Sequence, residues 1–493
     1  MSSPHSGNKH LVDPGSSEQE PTLLTDQLSP QQIFKNCQRT VPLLRAEGIA
    51  ERKKRLQLLR QWIHKNRTQI HEALYSDLRK PSMEADASEI FHVLNETKIA
   101  LASLDNWTAP RKIDAPLFMI GTRSWIQYEP RGVCLIIAPW NYPFSLAAGP
   151  LVSALAAGNT VILKPSEATP RVSALIKKMC ADIFDPNIVA VCEGGVDTAQ
   201  NLLSLPFDHI FFTGSPTVGK VVMKAAAENL TSITLELGGK SPAIISDSAN
   251  VNDAAERIAV GKFMNNGQTC IAPDYILADE KIAGVFVRKL IEKTQRFFAP
   301  DGDFQNSEYY GRVVNESHFN RIHELVMDAV ALGAKIEWQG NADKTSRFMH
   351  PVILTEVAPH SRMMQEEIFG PVLPVITYRT VEEALATVNS KPKALALYIF
   401  TTERRVQQKV LKETSSGTVC VNDCGIQFLH HDLPFGGINN SGMGKSHGHY
   451  GFLAFSNEKP VLKQKNGFTA VKAFYPPYTP RTKQLMDWFL RLF

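Results

Sequence analysis

Gly132–Pro139, GVCLIIAP, is the first of five short apolar runs that decide how this chain folds. NTVILKP (Asn159–Pro165), NIVAVCEGG (Asn187–Gly195), HIFFTGS (His209–Ser215) and SITLELGG (Ser232–Gly239) follow, each separated from the next by a helix-length stretch. Their apolar residues are consecutive rather than alternate, so both faces of each strand must be covered. That is the pattern of a parallel sheet with helices on either side, an open α/β domain. A second series, PAIISD, YILAD, VILTEV, LPVITY, LALYIF and TVCVN, begins after Gly239, with helices expected over 381–390 and 403–414 between its strands. Two α/β domains facing each other across a cleft follow from this reading.

Upstream, Ser29 is placed to cap a helix with Pro30 in its first turn, and the chain reads as helical to about Asp105. Leu56, Leu59, Ile63, Ile70, Leu74 and Leu78 recur at helical spacing, as in an amphipathic cover. Trp125 to Tyr128 alternates like a strand. The first 28 residues, rich in Ser, Pro, Glu and Gly, form no apolar secretory core and read as a disordered tail. Arg481 to Phe493 is a short apolar-rich segment, expected to form a helix docked on the body or on a partner subunit. Peripheral membrane contact is the alternative, because Arg481, Lys483 and Arg491 flank its apolar residues.

A chain of 493 residues is too long for one ordinary core, and 43% hydrophobic with 21% charged residues is a globular composition. The net charge of +4, from 53 basic and 49 acidic residues spread along the chain, gives no reason to expect a nucleic-acid partner. Seven scattered cysteines without a CxxC pair point to a reducing compartment, so the cytoplasm is the expected location. Zinc at Cys420 and Cys424 would need two more ligands at suitable spacing, for which His430 and His431 are the only nearby candidates, so no metal is expected.

The chemistry concentrates in the loops. Cys270, in GQTCIAPDY after a helix ending near Asn266, is a soft nucleophile, provided backbone N–H groups or positive potential stabilise its thiolate. Glu236 closes a strand before Gly238 and Gly239, where partial desolvation raises a carboxyl pKa toward the range of a general base. Asn141, in PWNYP (Pro139–Pro143), sits in restricted backbone at a strand end and can donate an amide N–H to an oxyanion. FTGSPTVGK places Gly214, Ser215 and Gly219 between a strand and a helix, a phosphate-binding position, though its spacing departs from GxGxxG. Lys164 and Glu167 in ILKPSE suit ribose hydroxyls; a surface ion pair would look the same.

Together PWNYP, KPSE, FTGSPTVG, ELGGKSP, GQTCIAPDY, EEIFGPVLP and PFGGINNSGMG, in that order, resemble the aldehyde dehydrogenase superfamily from about Ser29 to Lys463. GQTCIAPDY, NSGMG and the YPPYTP tail look like its class 3 branch, whose members act on medium- and long-chain aliphatic and aromatic aldehydes and are usually dimers. The resemblance implies a Rossmann-type cofactor domain over 29–111 and 131–237, and an α/β catalytic domain over 238–454. It further implies a small β bridging element for oligomerisation over 112–130 and 455–465, and a C-terminal tail over 466–493.

By that resemblance Cys270 attacks the aldehyde, Asn141 and the Cys270 N–H hold the oxyanion, and Glu236 activates water against the thioester. Lys164 and Glu167 look like the pair on the adenosine ribose. Ser215 and the following helix start face the pyrophosphate, Glu367 holds the nicotinamide ribose and Phe369 lies against the ring. Glu167 should repel a 2′-phosphate, which favours NAD, with NADP accepted by relatives of this branch. The competing functions are an acylating dehydrogenase that uses coenzyme A, a non-catalytic binding protein on the same scaffold, and a cysteine hydrolase. A base at Glu236 argues against the first, an intact nucleophile and base against the second, and the nucleotide-type motifs against the third.

Overall fold

The computed structural model describes residues 28–491; the tail expected over 1–28 falls, except for Leu28, outside them. The first helix, Pro30–Ala46, starts where expected: Ser29 Oγ accepts the Gln32 N–H and Gln32 Oε1 accepts the Ser29 N–H, a reciprocal cap.

All five runs of the first series are parallel strands of one sheet, in the order Val189–Val191, Thr160–Lys164, Val133–Ile137, His209–Gly214, Ser232–Leu237. Alternate residues enter opposite cores. Cys134 and Ile136 pack under Ser145–Ala157 and Pro170–Ile183, whereas Val133, Leu135 and Ile137 pack under Pro30–Ala46 and Pro216–Glu228. That two-sided burial explains why the runs are continuously apolar. The chain lays down Val133–Ile137 first, works outward to Val189–Val191, then crosses to His209–Gly214 on the other side. The order therefore reverses between Val133–Ile137 and His209–Gly214, and an open α/β sheet binds ligands at the carboxyl ends of the strands flanking such a reversal. PWNYP leaves one of those strands and Gly214-Ser215 the other.

The second series forms a seven-stranded sheet, parallel except for the antiparallel edge strand Lys335–Trp338. Cores on both of its faces again account for the apolar runs. A third sheet joins Arg111–Ile113, Thr122–Pro130 and Ser456–Gln464, the last two in a nine-pair antiparallel register from Ser456↔Pro130 to Gln464↔Thr122.

The tail forms the expected helix but buries none of it against the body. Its helix spans Pro480–Leu490 and none of its residues is buried. Phe489 meets Phe118 and Phe474 at 6.2 and 5.8 Å, and Leu485, Trp488 and Leu490 remain exposed. Its ring contact with the body is with the exposed Phe118, in a 3-10 turn of helix beside the third sheet, rather than with a core face. Among the described residues no helix is long and apolar enough to cross a membrane.

Candidate active site

Two cavities meet at one wall. The larger, about 480 Å³, lies at the strand-order reversal and is lined by Asn141, Gly214, Ser215, Glu367 and Phe369 among others. The smaller, about 50 Å³, has an apolar lining that includes Phe211, Leu395, Phe428 and Phe435. Cys270, Glu236, Thr213, Leu146 and Leu237 line both.

Cys270 is held by a stiff loop. The helix Val251–Phe263 ends three residues earlier than expected, and a tight turn follows in which Asn265 and Asn266 both take left-handed backbone, φ 50° and 56°. Gln268 fixes the exit, donating to Asn265 O and Arg312 O and accepting the Val314 N–H. The thiol is half-buried. Enclosure first, then the nearby Glu367 and Glu236 carboxyls, push it up to about 12, while the Cys270 and Ile271 N–H groups favour the thiolate. The expected N–H donors are present, and the sulfur in this state is a thiol.

Glu236 is buried at 6% exposure. Its Oε1 accepts a hydrogen bond from Ser446 at 2.9 Å, and its Oε2 has no partner. Burial raises its pKa to about 8, against the opposing effects of Ser446 and Lys445. A buried carboxyl in the wall of both cavities, with one oxygen left without a partner, can act as a proton acceptor. The strand that carries it is pinned by the pair Gly442–Met443, in register Gly442↔Glu236. Only glycine fits at 442, where φ is +145° and a Cβ would lie 2.2 Å from Leu235 O.

Asn141 is buried, and its Nδ2 donates to Gln268 O at 3.0 Å. An amide carries two donors, so a second N–H is left for a ligand. Glu367 is also raised, to about 8, by burial and then by Asp274, while the Gly239 N–H, Lys240 and Arg321 oppose the shift. A Cβ on Gly238 would meet Glu367 Oε2 at 2.3 Å, so this carboxyl lies directly against backbone. Phe369 packs edge-on to Trp140 at 5.3 Å.

Ser215 caps the helix Pro216–Glu228, and with Pro216 and Thr217 it brings that helix start to the larger cavity. Gly219 does not serve as a phosphate donor. Its N–H bonds to Ser215 O at 2.9 Å, and a Cβ there would sit 2.8 Å from Leu237 Cδ2, so this glycine lets helix and strand approach closely. Lys164 and Glu167 pair with each other at 2.5 Å and do not line the cavity.

Sequence reasoning missed Lys240 and Asp274. They form a buried ion pair; Lys240 also donates to Met363 O and Glu366 O, and Asp274 accepts the Ile368 N–H. The pair ties EEIFG to the loop that follows the Glu236 strand and to the loop that carries Cys270. Both residues stand in the quoted motifs ELGGKSP and GQTCIAPDY, which is the only signal that could have found them.

A cavity at the strand-order reversal, with a cysteine and a carboxyl in its wall and a helix start at its edge, suits thiol chemistry beside a phosphate-bearing ligand. A profile of the aldehyde dehydrogenase family matches residues 24–461, and the chain belongs to that family. It is 42% identical to the 4,4'-diaponeurosporen-aldehyde dehydrogenase of Staphylococcus aureus over 467 residues, covering 95% of this chain and 99% of that one. It is 39% identical to mouse aldehyde dehydrogenase family 3 member A2, over 90% of this chain and 91% of the relative. The dimeric, NADP-preferring aldehyde dehydrogenase of rat is 42% identical, over 88% and 94%. Among solved structures, the substrate-bound Staphylococcus aureus AldH superposes with a TM-score of 0.89 at 42% identity, covering 93% of this chain and 99% of that one. This protein is an NAD(P)-dependent enzyme that oxidises aldehydes to carboxylic acids.

The raised Glu236 carboxyl sets a pH dependence. If the base form of a group near 8 is required, kcat should climb about tenfold per pH unit below that value and level off above it. Steady-state rates between pH 6 and 10 measure this. The step should vanish in Glu236→Gln; a flat wild-type profile would contradict the assignment.

Proposed function

We propose that the enzyme oxidises medium- and long-chain aliphatic or aromatic aldehydes at Cys270, from a homodimer in the cytoplasm, with NAD favoured and NADP accepted. The single observation that carries this reading is that Cys270 and Glu236 stand in the wall shared by both cavities. An aldehyde can meet the sulfur from the small apolar chamber while the cofactor meets it from the larger one. The residues fit that cofactor: the Ser215 helix start suits its diphosphate, Glu367 its ribose and Lys164 with Glu167 the adenosine end. When bound, it supplies a positive ring that favours the thiolate, and it accepts the two electrons leaving the aldehyde carbon.

Cys270 gives up its thiol proton to solvent, its Sγ bonds to the carbonyl carbon as the C=O π pair moves onto oxygen, and that anionic oxygen receives N–H groups from Asn141 and Cys270. After oxidation the acyl group stays on sulfur as a thioester. Glu236 takes a proton from water as that water attacks, the carbon–sulfur bond breaks, and Glu236 returns the proton to the departing sulfur, leaving the acid and the free thiol.

The substrate class rests on the apolar lining of the small chamber and on the relatives' names. The cofactor preference rests on Glu167, whose exposed carboxylate repels a 2′-phosphate, although one that swings away admits NADP. For the dimer, Ser456–Gln464 is a nine-residue edge strand, mostly exposed, onto which a second copy's sheet can add. The exposed tail helix lies beside that bridging sheet, so we assign its cover to the partner subunit rather than to a bilayer. Free cysteines, several of them buried, suit the reducing cytoplasm.

The test follows reduced nicotinamide absorbance across straight-chain and aromatic aldehydes, with NAD and NADP in parallel. Turnover should rise with chain length and aromatic character and be faster with NAD. Turnover confined to two- and three-carbon aldehydes would overturn the substrate class.

A further inference from the structure

Lys80 and Glu89 line neither cavity, yet both side chains are fully enclosed, at 0% exposure each, and they pair at 2.5 Å. Taking two charges out of water is unfavourable, and an apolar pair of similar size often serves stability as well or better. What the ions provide here is direction. Lys80 Nζ donates to Asn141 O at 3.2 Å and stands 4.1 Å over the Tyr142 ring. Glu89 Oε2 accepts the N–H groups of Phe144 (3.1 Å) and Ser145 (2.9 Å), where the helix Ser145–Ala157 begins. One ion pair thus grips PWNYP at its asparagine and at its exit.

The same segment grips the cysteine loop. Glu84 Oε1 accepts the N–H of Asn265 at 2.9 Å, and Asn265 Nδ2 donates to Asn141 O at 2.7 Å and to Gln268 O at 3.1 Å. The Asn141 carbonyl is therefore held between an ammonium and an amide, and the Asn141 side chain bonds to the same Gln268 carbonyl. Glu89 reaches its partners from a π-helical turn, Asp86–Ile90, a local irregularity that recurs near functional sites.

We infer that Lys80 and Glu89 are positioning residues that set where the Asn141 amide sits relative to Cys270. The inference rests on the covalent reading above, and it adds that oxyanion geometry is fixed from outside the site by a clamp on the Asn141 backbone.

The double variant Lys80→Met with Glu89→Gln removes both charges and keeps a carbonyl acceptor for Phe144 and Ser145. It is expected to fold, and to lose between about 10- and 100-fold in kcat, as a small misplacement near the reacting atoms does. KM and cofactor Kd should stay within about threefold, and the alkylation rate of Cys270 by iodoacetamide should not change. Cofactor-free hydrolysis of p-nitrophenyl acetate, which passes through a similar oxyanion, should fall by the same factor. If the double variant does not fold, Asn265→Gly takes its place: glycine tolerates the left-handed backbone while removing the other donor to Asn141 O, and the same pattern is expected. Wild-type kcat in both reactions, or a loss shared equally by thiol alkylation and cofactor binding, would overturn the clamp. Inactive wild-type enzyme, or active Cys270→Ala, would instead bring down the covalent reading.

Discussion

Cys270→Ala is expected to lose aldehyde turnover by roughly 10⁴-fold or more while still binding cofactor. Position singles out this sulfur. Seven cysteines are present, but the other six are buried as small apolar groups, and only Cys270 is half-buried in a wall shared by two cavities. Alanine cannot form the bond to the carbonyl carbon, and no other side chain in that wall is a comparable nucleophile. The thiol makes no hydrogen bond on which a neighbouring side chain depends, so the fold should survive. Absorbance of reduced cofactor, with a fluorescence titration of cofactor as the control, makes the measurement. Retained turnover would show that the sulfur is a bystander.

Glu236→Gln should behave differently: one fast turnover, then near silence. Glutamine preserves an acceptor for Ser446 and the shape of the buried side chain, so attack and oxidation proceed, but it cannot take a proton from water. Steady-state kcat should fall by about 10²- to 10⁴-fold, the usual range for a positioned base, while the first equivalent of reduced cofactor appears at close to the wild-type rate. Stopped-flow absorbance separates the two phases. Loss of the fast phase as well would place Glu236 in thiol activation rather than in water activation.

Most of the sheet architecture was legible because its strands are buried on both faces, and continuous apolar runs such as VCLII and YILAD are too short for helices and too apolar for loops. Lys335–Trp338 was missed because an exposed edge strand carries no such run. Gly442–Met443 is too short to show a pattern, although it pins the register of Glu236. Cys270, Glu236 and Asn141 were readable because each lies in a loop or at a strand end with glycines or prolines close by. Lys80 and Glu89 were not: Lys80 lies in a short link between two helices and Glu89 in a π-helical turn, and the Asn141 carbonyl that Lys80 holds is 61 positions away in sequence. Sequence spacing also suggested that Gly219 faces a phosphate, whereas the close approach of helix and strand accounts for it.

The most direct test of a covalent route through Cys270 is the mass of Glu236→Gln protein, quenched after mixing with aldehyde and oxidised cofactor. The expected result is a gain equal to one acyl group, carried on the peptide containing Cys270, with one equivalent of cofactor reduced. Reduced cofactor formed with no added mass, or an acyl group on any other cysteine, would contradict it.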